Sequence, residues 1–242
     1  MTTRLSIVLP AFNEEANIGT AVDRALAAAA QHCADYEVVV VDDGSTDGTA
    51  AIVQRLATDD PHVRLVQHES NQGYGGALKT GFLAAKLDLV FFTDADNQFD
   101  LSEIGEFLAL IDRVDVVAGY RIRRCDPWFR RFNAKAWNYL VRALYYVPVR
   151  DIDCAFKLFR REVFDGLELE SVGAMVNTEL MVKLGRSGYR VVELGVSHYP
   201  RTAGTPRGAN PRVIARAFIE LARMHARLST TELSQLRPGP TR

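Results

Sequence analysis

The chain has 242 residues, of which 48% are hydrophobic and 24% are charged, and its formal net charge is −1. This length suits one large α/β domain or two closely packed halves, and the composition excludes an intrinsically disordered chain. The near-zero charge excludes a global attraction to nucleic acid, so no nucleic-acid partner is expected.

Short apolar runs alternate with helical patterns in the first half of the chain. Five runs are predicted to be strands: Leu5–Leu9, Tyr36–Val41, Val63–Gln67, Leu87–Thr93 and Asp115–Ala118. Helices are predicted between them, over about 15–32, 47–58, 74–86 and 101–112. This alternation indicates an α/β fold with a mostly parallel sheet and helices on both faces. In such a sheet, ligands bind beyond the carboxyl ends of the strands.

The second half is less regular. A long helix is predicted around 127–147, and two shorter strands over 153–159 and 189–196. Two further helices are predicted, over 174–186 and about 212–228.

Two carboxylates follow the fourth predicted strand. Asp94 and Asp96 lie one residue apart, so both can face a divalent cation and a ribose. Mg²⁺ or Mn²⁺ prefers oxygen ligands and usually keeps water and substrate phosphates in its shell. Such a metal neutralises a diphosphate leaving group. The alternative is an Asp-rich turn that caps the helix beginning near Leu101.

A second pair of carboxylates ends the second predicted strand. Asp42 and Asp43 precede Gly44, which allows a sharp turn, and their oxygens can accept hydrogen bonds from a base edge or a ribose. The alternative is a strand-to-helix turn in which Thr46 or Asp47 caps the next helix. The two interpretations are compatible, because Asp47 can cap the helix while Asp42 binds a ligand.

The glycine-rich segment Gly73–Thr80 invites comparison with a phosphate-binding P-loop. It has Leu78 where that motif requires a glycine before the lysine. Its glycines also do not follow the first strand, as a dinucleotide-binding motif requires. We interpret it as a tight helix start where small residues allow close packing.

Four motifs occur in a characteristic order along the chain. They are Pro10-Ala11-Phe12-Asn13-Glu14, Asp42-Asp43-Gly44-Ser45-Thr46-Asp47, Asn71-Gln72-Gly73 and Asp94-Ala95-Asp96-Asn97-Gln98. In this order they resemble the family 2 glycosyltransferases with the GT-A fold, and within them the dolichyl-phosphate mannose synthase branch. The chain is also similar to polyprenyl-phosphate N-acetylgalactosaminyl synthases. The resemblance extends over about residues 4–228 and includes Asp151–Phe159 and Tyr199-Pro200-Arg201.

The resemblance implies an inverting, metal-dependent hexosyltransferase that uses a nucleotide-sugar donor and a polyprenyl phosphate acceptor, with Mg²⁺ or Mn²⁺ as cofactor. The donor-binding residues implied are Pro10, Phe12, Glu14, Asp42, Asp43, Asp94 and Arg201, with Arg201 on a loop that closes over the nucleotide. The metal ligands implied are Asp94, Asp96 and Gln98. The catalytic residues implied are Asp94, Asp96, Arg121 and Arg130, the two arginines meeting phosphates.

Departures from the mannose synthases leave the sugar open. Phe12 replaces a common Tyr, Ala155 replaces Gly, and Asn97-Gln98-Phe99-Asp100 replaces Leu-Gln-His-Pro. GDP-mannose, UDP-glucose and UDP-N-acetylgalactosamine are therefore all candidate donors.

The acceptor can be argued from chemistry. A phosphate monoester is ionised at neutral pH, so it needs cationic positioning rather than a strong base. The candidate cations are Arg121, Arg123, Arg124, Arg130, Arg131 and Lys135. A hydroxyl of a glycan would instead need a carboxylate base, for which Asp151, Asp153 and Glu179 are candidates. A third alternative is a nucleotide-sugar-binding module without activity.

The last predicted helix is basic and amphipathic. Its arginines at 212, 216, 223 and 227 share one side, and Ile214, Phe218, Leu221, Met224 and Leu228 share the other. Such a helix can lie in a lipid interface, and the alternative is that its apolar side packs on the domain.

These features predict four segments. Residues 1–120 form the nucleotide-sugar-binding half, 121–211 the acceptor half of the same domain, 212–228 the amphipathic helix and 229–242 a flexible tail. Neither a signal peptide nor an apolar run of about 20 residues is found, and the three cysteines suggest no disulfide framework. We therefore expect a cytoplasmic protein, peripheral at the cytosolic face of a membrane, with a small membrane protein as a candidate recruiter.

Overall fold

The computed structural model describes residues 3–122, 128–145, 147, 149–201, 203 and 211–230. Within its helices, the side chains of residues 128–134, 211–216 and 228–230 are not described. The predictions for Arg123, Arg124 and most of the 229–242 tail lie outside the described residues.

The described residues form seven strands and seven α-helices. The strands are β1 (Arg4–Ala11), β2 (Asp35–Asp42), β3 (Val63–Gln67), β4 (Leu89–Thr93), β5 (Val116–Arg121), β6 (Phe156–Arg160) and β7 (Val191–Val196). The helices are α1 (Ile18–His32), α2 (Thr49–Asp59), α3 (Tyr74–Ala84), α4 (Ile104–Ile111), α5 (Trp128–Tyr145), α6 (Val176–Arg186) and α7 (Pro211–Thr230). Two 3₁₀ turns, Leu101–Glu103 and Arg161–Phe164, complete the set.

All strands belong to one sheet with the order β3-β2-β1-β4-β6-β5-β7. The first four strands are mutually parallel, as predicted, and β5 is parallel to β7. Strand β6 is antiparallel to both of its neighbours, β4 and β5, and so joins the two halves into one sheet. The mostly parallel α/β fold is therefore confirmed.

Three predicted boundaries are corrected. Strand β5 continues to Arg121, three residues beyond the predicted end at Ala118. The strand predicted over 153–159 begins only at Phe156, because the acidic residues before it form a turn. Helix α7 extends to Thr230, two residues beyond the predicted end.

The core lies between the central strands and the helices on each face. Helix α1 buries Ile18, Ala21, Val22 and Ala25, whose spacing of three and four residues defines one helical face. Strands β1, β2 and β4 are buried along nearly their whole length, which explains their continuous apolar sequence. This packing holds the carboxyl ends of the strands, where the polar residues lie, in fixed positions.

The glycine-rich start of α3 packs tightly against the segment before α6. Gly73 has a φ of 86°, which favours glycine, and the amide of Gly75 donates to the carbonyl of Val172 over 2.9 Å. A Cβ atom on Gly75 would lie 2.2 Å from the Ser171 carbonyl oxygen. The interpretation of this segment as a close-packed helix start is confirmed.

Helix α7 packs on the domain through Leu221 and Met224, which are buried. The ring centroids of Phe218 and of Trp137 in α5 are 5.4 Å apart. Phe218 nevertheless remains 50% exposed, and Ile219 is 53% exposed. Packing on the domain therefore accounts for only part of its apolar surface. None of the described helices has the length and apolarity needed to cross a membrane.

Candidate active site

The polar motifs converge at the carboxyl ends of three adjacent strands. Strand β1 lies between β2 and β4, and Ala11 is in register with Asp42. Pro10 is buried near the end of β1 and Phe12, which follows the strand, is partly exposed. Glu14, Asp42 and Asp94 therefore lie beyond neighbouring strands, although they are widely separated in the sequence.

Asp94 follows β4 directly and is bound by a tyrosine from α3. The hydroxyl of Tyr74 donates to Asp94 Oδ1 over 2.9 Å. Burial, together with the charge of the neighbouring Asp96, raises the pKa of Asp94 to about 7. Burial also raises the pKa of Tyr74 well above its ordinary value, so its hydroxyl remains a donor. Two partly buried carboxylates one residue apart, of which burial and the charge of Asp96 raise the pKa of Asp94, favour a bound cation.

Asp96 lies in the turn that follows. Its Oδ1 accepts the amide of Gln98 over 3.1 Å, and the Gln98 side-chain amide donates to the Tyr199 carbonyl over 2.9 Å. Burial raises the pKa of Asp96, although the Gln98 amide and Arg201 oppose the rise. The helix-capping role is filled instead by Asp100, which accepts the Ser102 amide over 3.1 Å. The alternative in which Asp94 and Asp96 serve only as a cap is thereby removed.

Asp42, the last residue of β2, has one buried carboxylate oxygen that the described residues leave unpaired. Its side chain is fully buried, and Oδ1 is 3.3 Å from the Ser45 amide. Oδ2 has no hydrogen-bond partner among the described residues. Asp47 accepts the Thr49 amide over 3.0 Å at the start of α2, so the capping contact predicted for Asp47 is present, and ligand binding by Asp42 stays a prediction. A buried carboxylate oxygen without a donor favours a ligand that supplies one.

Asp43 has an internal role in this structure. Its two oxygens accept the backbone amides of Gln72 and Gly73 over 2.8 and 2.9 Å, and Oδ1 is 2.7 Å from His68 Nδ1. The other ring nitrogen, His68 Nε2, lies 2.9 Å from the Thr80 hydroxyl. Asp43 therefore fixes the loop that delivers Tyr74, and the geometry gives it a positioning role rather than the predicted donor contact.

Glu14 and Arg201 form an ion pair across the mouth of the crevice. Arg201 Nη2 donates to both oxygens of Glu14, and Arg201 Nη1 lies 3.7 Å from Asp96 Oδ2. Asn17 Nδ2 also donates to Glu14 Oε2 over 2.6 Å. The structure thus brings the predicted loop arginine into contact with two of the predicted acidic site residues.

Arg121 is held by a buried carboxylate at the end of β5. Its Nε and Nη2 donate to Asp151 Oδ2 and Oδ1 over 2.7 and 2.6 Å. These contacts with Asp151 keep the pKa of Arg121 above its ordinary value in spite of its burial. Arg121 also lies close enough to Asp94 to lower the pKa of that carboxyl. Arg130 lies in α5, but its side chain is outside the described residues.

Glu179, one of the three candidate bases, is fully engaged in contacts inside the protein. It forms a 2.9 Å ion pair with Lys183 and accepts the amides of Glu170 and Ser171. Its side chain is 3% exposed. The proposal of Glu179 as a catalytic base is therefore wrong, because its lone pairs already hold the segment before α6.

Sequence reasoning missed two residues beside the acidic pair. The interpretation of Gly73–Thr80 as a tight helix start gives Tyr74 no role in the site. A single aromatic residue among glycines is the sequence signal that could have identified it. Lys157 is completely buried in β6 and its ammonium donates to the carbonyls of Ile152 and Cys154. Burial lowers the pKa of Lys157, which nevertheless lies near Asp94.

The donor set suits a cation shared with a substrate. Within the described part of the chain, no three His, Cys, Asp or Glu side chains form a metal cluster. Asp94 and Asp96 supply two carboxylates, which is the number that Mg²⁺ or Mn²⁺ uses when phosphates and water complete its shell. The site therefore fits a cation held jointly by protein and diphosphate, and not an all-protein metal cage.

Comparison with known proteins identifies the family of the chain. Residues 6–167 match the model of the family described as Glycosyl transferase family 2. The chain is 35% identical over 210 residues to the glycosyltransferase AglD of Haloferax volcanii, covering 81% of this chain and 33% of that protein. It is 33% identical over 203 residues to an undecaprenyl-phosphate 4-deoxy-4-formamido-L-arabinose transferase of Aeromonas hydrophila, covering 83% and 61%. The chain thus spans less than two thirds of either relative.

A solved structure has the same fold. It is a glucosyl-3-phosphoglycerate synthase of Mycobacterium tuberculosis in complex with Mn²⁺, uridine diphosphate and phosphoglyceric acid. The TM-score is 0.67 at 22% identity, with 98% of this chain and 80% of that chain covered.

Proposed function

The chain belongs to glycosyl transferase family 2 and has the GT-A fold, and from this premise we propose that it transfers a sugar from a nucleotide diphosphate donor to a polyprenyl monophosphate. The observation that carries the proposal is the partly buried pair Asp94 and Asp96, which follows β4 and has its pKa values raised, beside Glu14 and Asp42. The relative named as an undecaprenyl-phosphate transferase supports the choice of acceptor.

The donor's nucleoside is proposed to bind over the ends of β1 and β2. The unpaired Asp42 oxygen can accept a hydrogen bond from the base or the ribose, and Pro10 and Phe12 supply the adjoining apolar wall. Asp94, already oriented by Tyr74, would meet the ribose or the cation. The first half of the chain would thus bind the donor, and the second half the acceptor.

A divalent cation, Mg²⁺ or Mn²⁺, is proposed as the cofactor. Asp96 and Asp94 would hold it, with Gln98 beside them, and it would supply Lewis-acid stabilisation of the diphosphate leaving group. The protein's own part is to hold these carboxylates in one orientation, through the Tyr74 hydroxyl and the Gln98 amide. Arg201 is close enough to contribute a second positive charge at the diphosphate.

The acceptor phosphate is proposed to approach from the side of β5 and α5. Its ionised oxygen would attack the anomeric carbon in line with the leaving group, which inverts the configuration. Arg121, with its guanidinium held by Asp151, and Arg130 are the proposed phosphate contacts. No proton needs to be removed from a phosphate monoester, so this reaction does not require a carboxylate base.

A hydroxyl acceptor is less well supported by the contacts. Glu179 is paired with Lys183, and Asp151 is bound to Arg121 through both oxygens. The third candidate base, Asp153, can be tested directly by substitution. Replacement of Asp153 by Asn would abolish transfer to a hydroxyl if this residue were the base, but would leave transfer to a phosphate largely intact.

The membrane is the proposed location of the acceptor, and α7 the proposed contact with it. Exposed Phe218 and Ile219 lie on a helix that also carries Arg223 and Arg227. A basic amphipathic helix of this kind binds lipid interfaces. We place the enzyme at the cytosolic face of the membrane, with a small membrane protein as a further candidate partner.

One transfer assay tests the proposed donor and the proposed acceptor together. Purified protein receives Mn²⁺ or Mg²⁺, undecaprenyl phosphate in detergent, and labelled GDP-mannose, UDP-glucose or UDP-N-acetylgalactosamine in parallel reactions. Label that enters the organic phase with one donor, and not with an Asp96→Asn variant, supports the proposal and identifies the sugar. Binding of a donor without any transfer would favour a non-catalytic module, and labelling of a water-soluble glycan would favour a hydroxyl acceptor.

A further inference from the structure

Arg201 occupies the centre of the acidic site. Its guanidinium contacts both oxygens of Glu14 and lies 3.7 Å from Asp96, so one cation is shared by residues from two different strand ends. The three side chains are only 13–17% exposed, which limits the solvent available to screen their charges. Arg201 is held in place by a further bond from its Nε to the Ala203 carbonyl over 2.6 Å.

The position of Arg201 offsets the repulsion between two neighbouring carboxylates. Glu14 and Asp96 repel each other at short range, and their charges are costly to bury without a compensating cation. Arg201 supplies that cation from within the chain. Its Nη1 and Nη2 atoms face the carboxylates of Asp96 and Glu14, and Asn17 reinforces the pair by donating to both Glu14 and Ala203.

We infer that Arg201 is an internal counter-ion of Glu14 and Asp96 that competes with the divalent cation for Asp96. The inference rests on the proposed function, and it adds that the protein's own arginine balances part of the negative charge that the metal would meet. A dication and a guanidinium repel each other in this space, so the metal binds well only when Arg201 has another anion to contact. The donor's diphosphate supplies that anion. Nucleotide and metal should therefore bind cooperatively, and each weakly alone.

The test measures metal binding rather than turnover. Mn²⁺ affinity is determined by electron paramagnetic resonance of free Mn²⁺, with and without uridine diphosphate or guanosine diphosphate, for the wild type and Arg201→Gln. Without nucleotide, the variant should bind Mn²⁺ more tightly, by roughly 5- to 100-fold, the usual range of a coupling between two sites. In the presence of whichever nucleoside diphosphate binds, Arg201→Gln should no longer bind Mn²⁺ more tightly than the wild type. The reason is that the variant lacks the arginine contact to the phosphates.

A matched variant separates local competition from overall charge. Arg24 donates to the carbonyls of Phe99 and Asn97 beside the same site, and it contacts no carboxylate in these bonds. Arg24→Gln removes the same charge, so its nucleotide-free Mn²⁺ affinity should change much less. Arg201→Lys keeps the charge and should stay close to the wild type. Melting curves establish that each variant is folded.

The outcomes distinguish this inference from the proposed function. If the wild type binds Mn²⁺ with a nucleoside diphosphate but Arg201→Gln gains no affinity without it, the counter-ion role is refuted and the proposed function stands. An equal gain in Arg24→Gln would also refute it. Absence of Mn²⁺ binding to the wild type, with either diphosphate, would overturn both.

Discussion

The hydroxyl of Tyr74, at the start of α3, donates to Asp94 at the end of β4 over 2.9 Å. Tyr74 is delivered by a loop whose amides are bound by Asp43, which in turn contacts His68. The orientation of the site carboxylate thus depends on a chain of contacts that begins at the end of β2.

Replacing Tyr74 by Phe should impair transfer without unfolding the protein. The variant loses one hydrogen bond to a charged group, worth about 1.5–3 kcal/mol, so we expect transfer to fall about 10- to 100-fold. Mn²⁺ affinity in the presence of nucleotide should fall as well. Tyr36→Phe, at the opposite edge of the sheet where Tyr36 stacks on His62, is the control. Full activity in Tyr74→Phe would refute the positioning role.

Arg121 and Asp151 should depend on each other for stability. Arg121→Ala leaves a buried carboxylate without its cation and should cost about 3–5 kcal/mol in urea unfolding. Adding Asp151→Ala should recover part of that loss. The exposed pair Arg161 and Asp165 is the comparison, because Arg161→Ala should cost less than about 1 kcal/mol. Equal costs for the two arginines would contradict the prediction.

Glu37 should stabilise the protein only above acidic pH. Burial acts to raise the pKa of Glu37, but hydrogen bonds from Ser6, the Lys86 amide and Arg64 outweigh it and keep the pKa below its ordinary value. A lowered folded-state pKa gives stability that is present at neutral pH and lost as the pH falls through that pKa. Glu37→Gln should therefore cost about 1–2 kcal/mol at pH 7 and much less below about pH 4.

Urea unfolding at both pH values measures this difference, with the exposed Glu106→Gln as the control. A loss of equal size at both pH values would show that the Glu37 charge is not responsible. Transfer per folded molecule should be unchanged, because Glu37 lies at the opposite edge of the sheet from Asp94.

Replacing Gly75 by Ala should strain the contact between α3 and the segment before α6. The added Cβ would lie 2.2 Å from the Ser171 carbonyl oxygen, and overpacking of this kind costs about 1–3 kcal/mol. Transfer should fall too, since Tyr74 is the adjacent residue. Gly19→Ala is the control, because its Cβ would meet only Ile52, at 3.9 Å. A stable and active Gly75→Ala would refute the close-packing account.

Replacing Phe218 and Ile219 together by Ser should weaken membrane binding. Burial of a large apolar side chain contributes about 1.5–3 kcal/mol, so partial insertion of two should change affinity for vesicles by tenfold or more. Cosedimentation with phosphatidylglycerol vesicles measures the change. Leu83→Ser removes an apolar side chain that is 76% exposed on α3 and should have no effect. Unchanged binding of the double variant would exclude this face of α7.

Most of the fold could be predicted because its signals are local. The apolar runs ending in Leu9, Val41 and Thr93 identified β1, β2 and β4, and their alternation with helices predicted parallel neighbours. The reversed direction of β6 could not be predicted, because a five-residue apolar strand carries no information about its orientation. The acidic residues at the strand ends were found for the same local reason as the strands themselves.

The roles of the individual site residues are less predictable from the sequence than the strands are. The carboxylates at the strand ends can be identified from the sequence, since a strand's end and the residues after it are adjacent in the chain. Which carboxylates are already paired becomes visible only in the folded chain: Asp43 binds loop amides, Glu179 binds Lys183, and Glu14 binds Arg201, 187 positions away. Hydrogen bonds and ion pairs of this kind join residues far apart in sequence, so neither composition nor spacing encodes them, and they form only when packing of the sheet and helices brings the partners together.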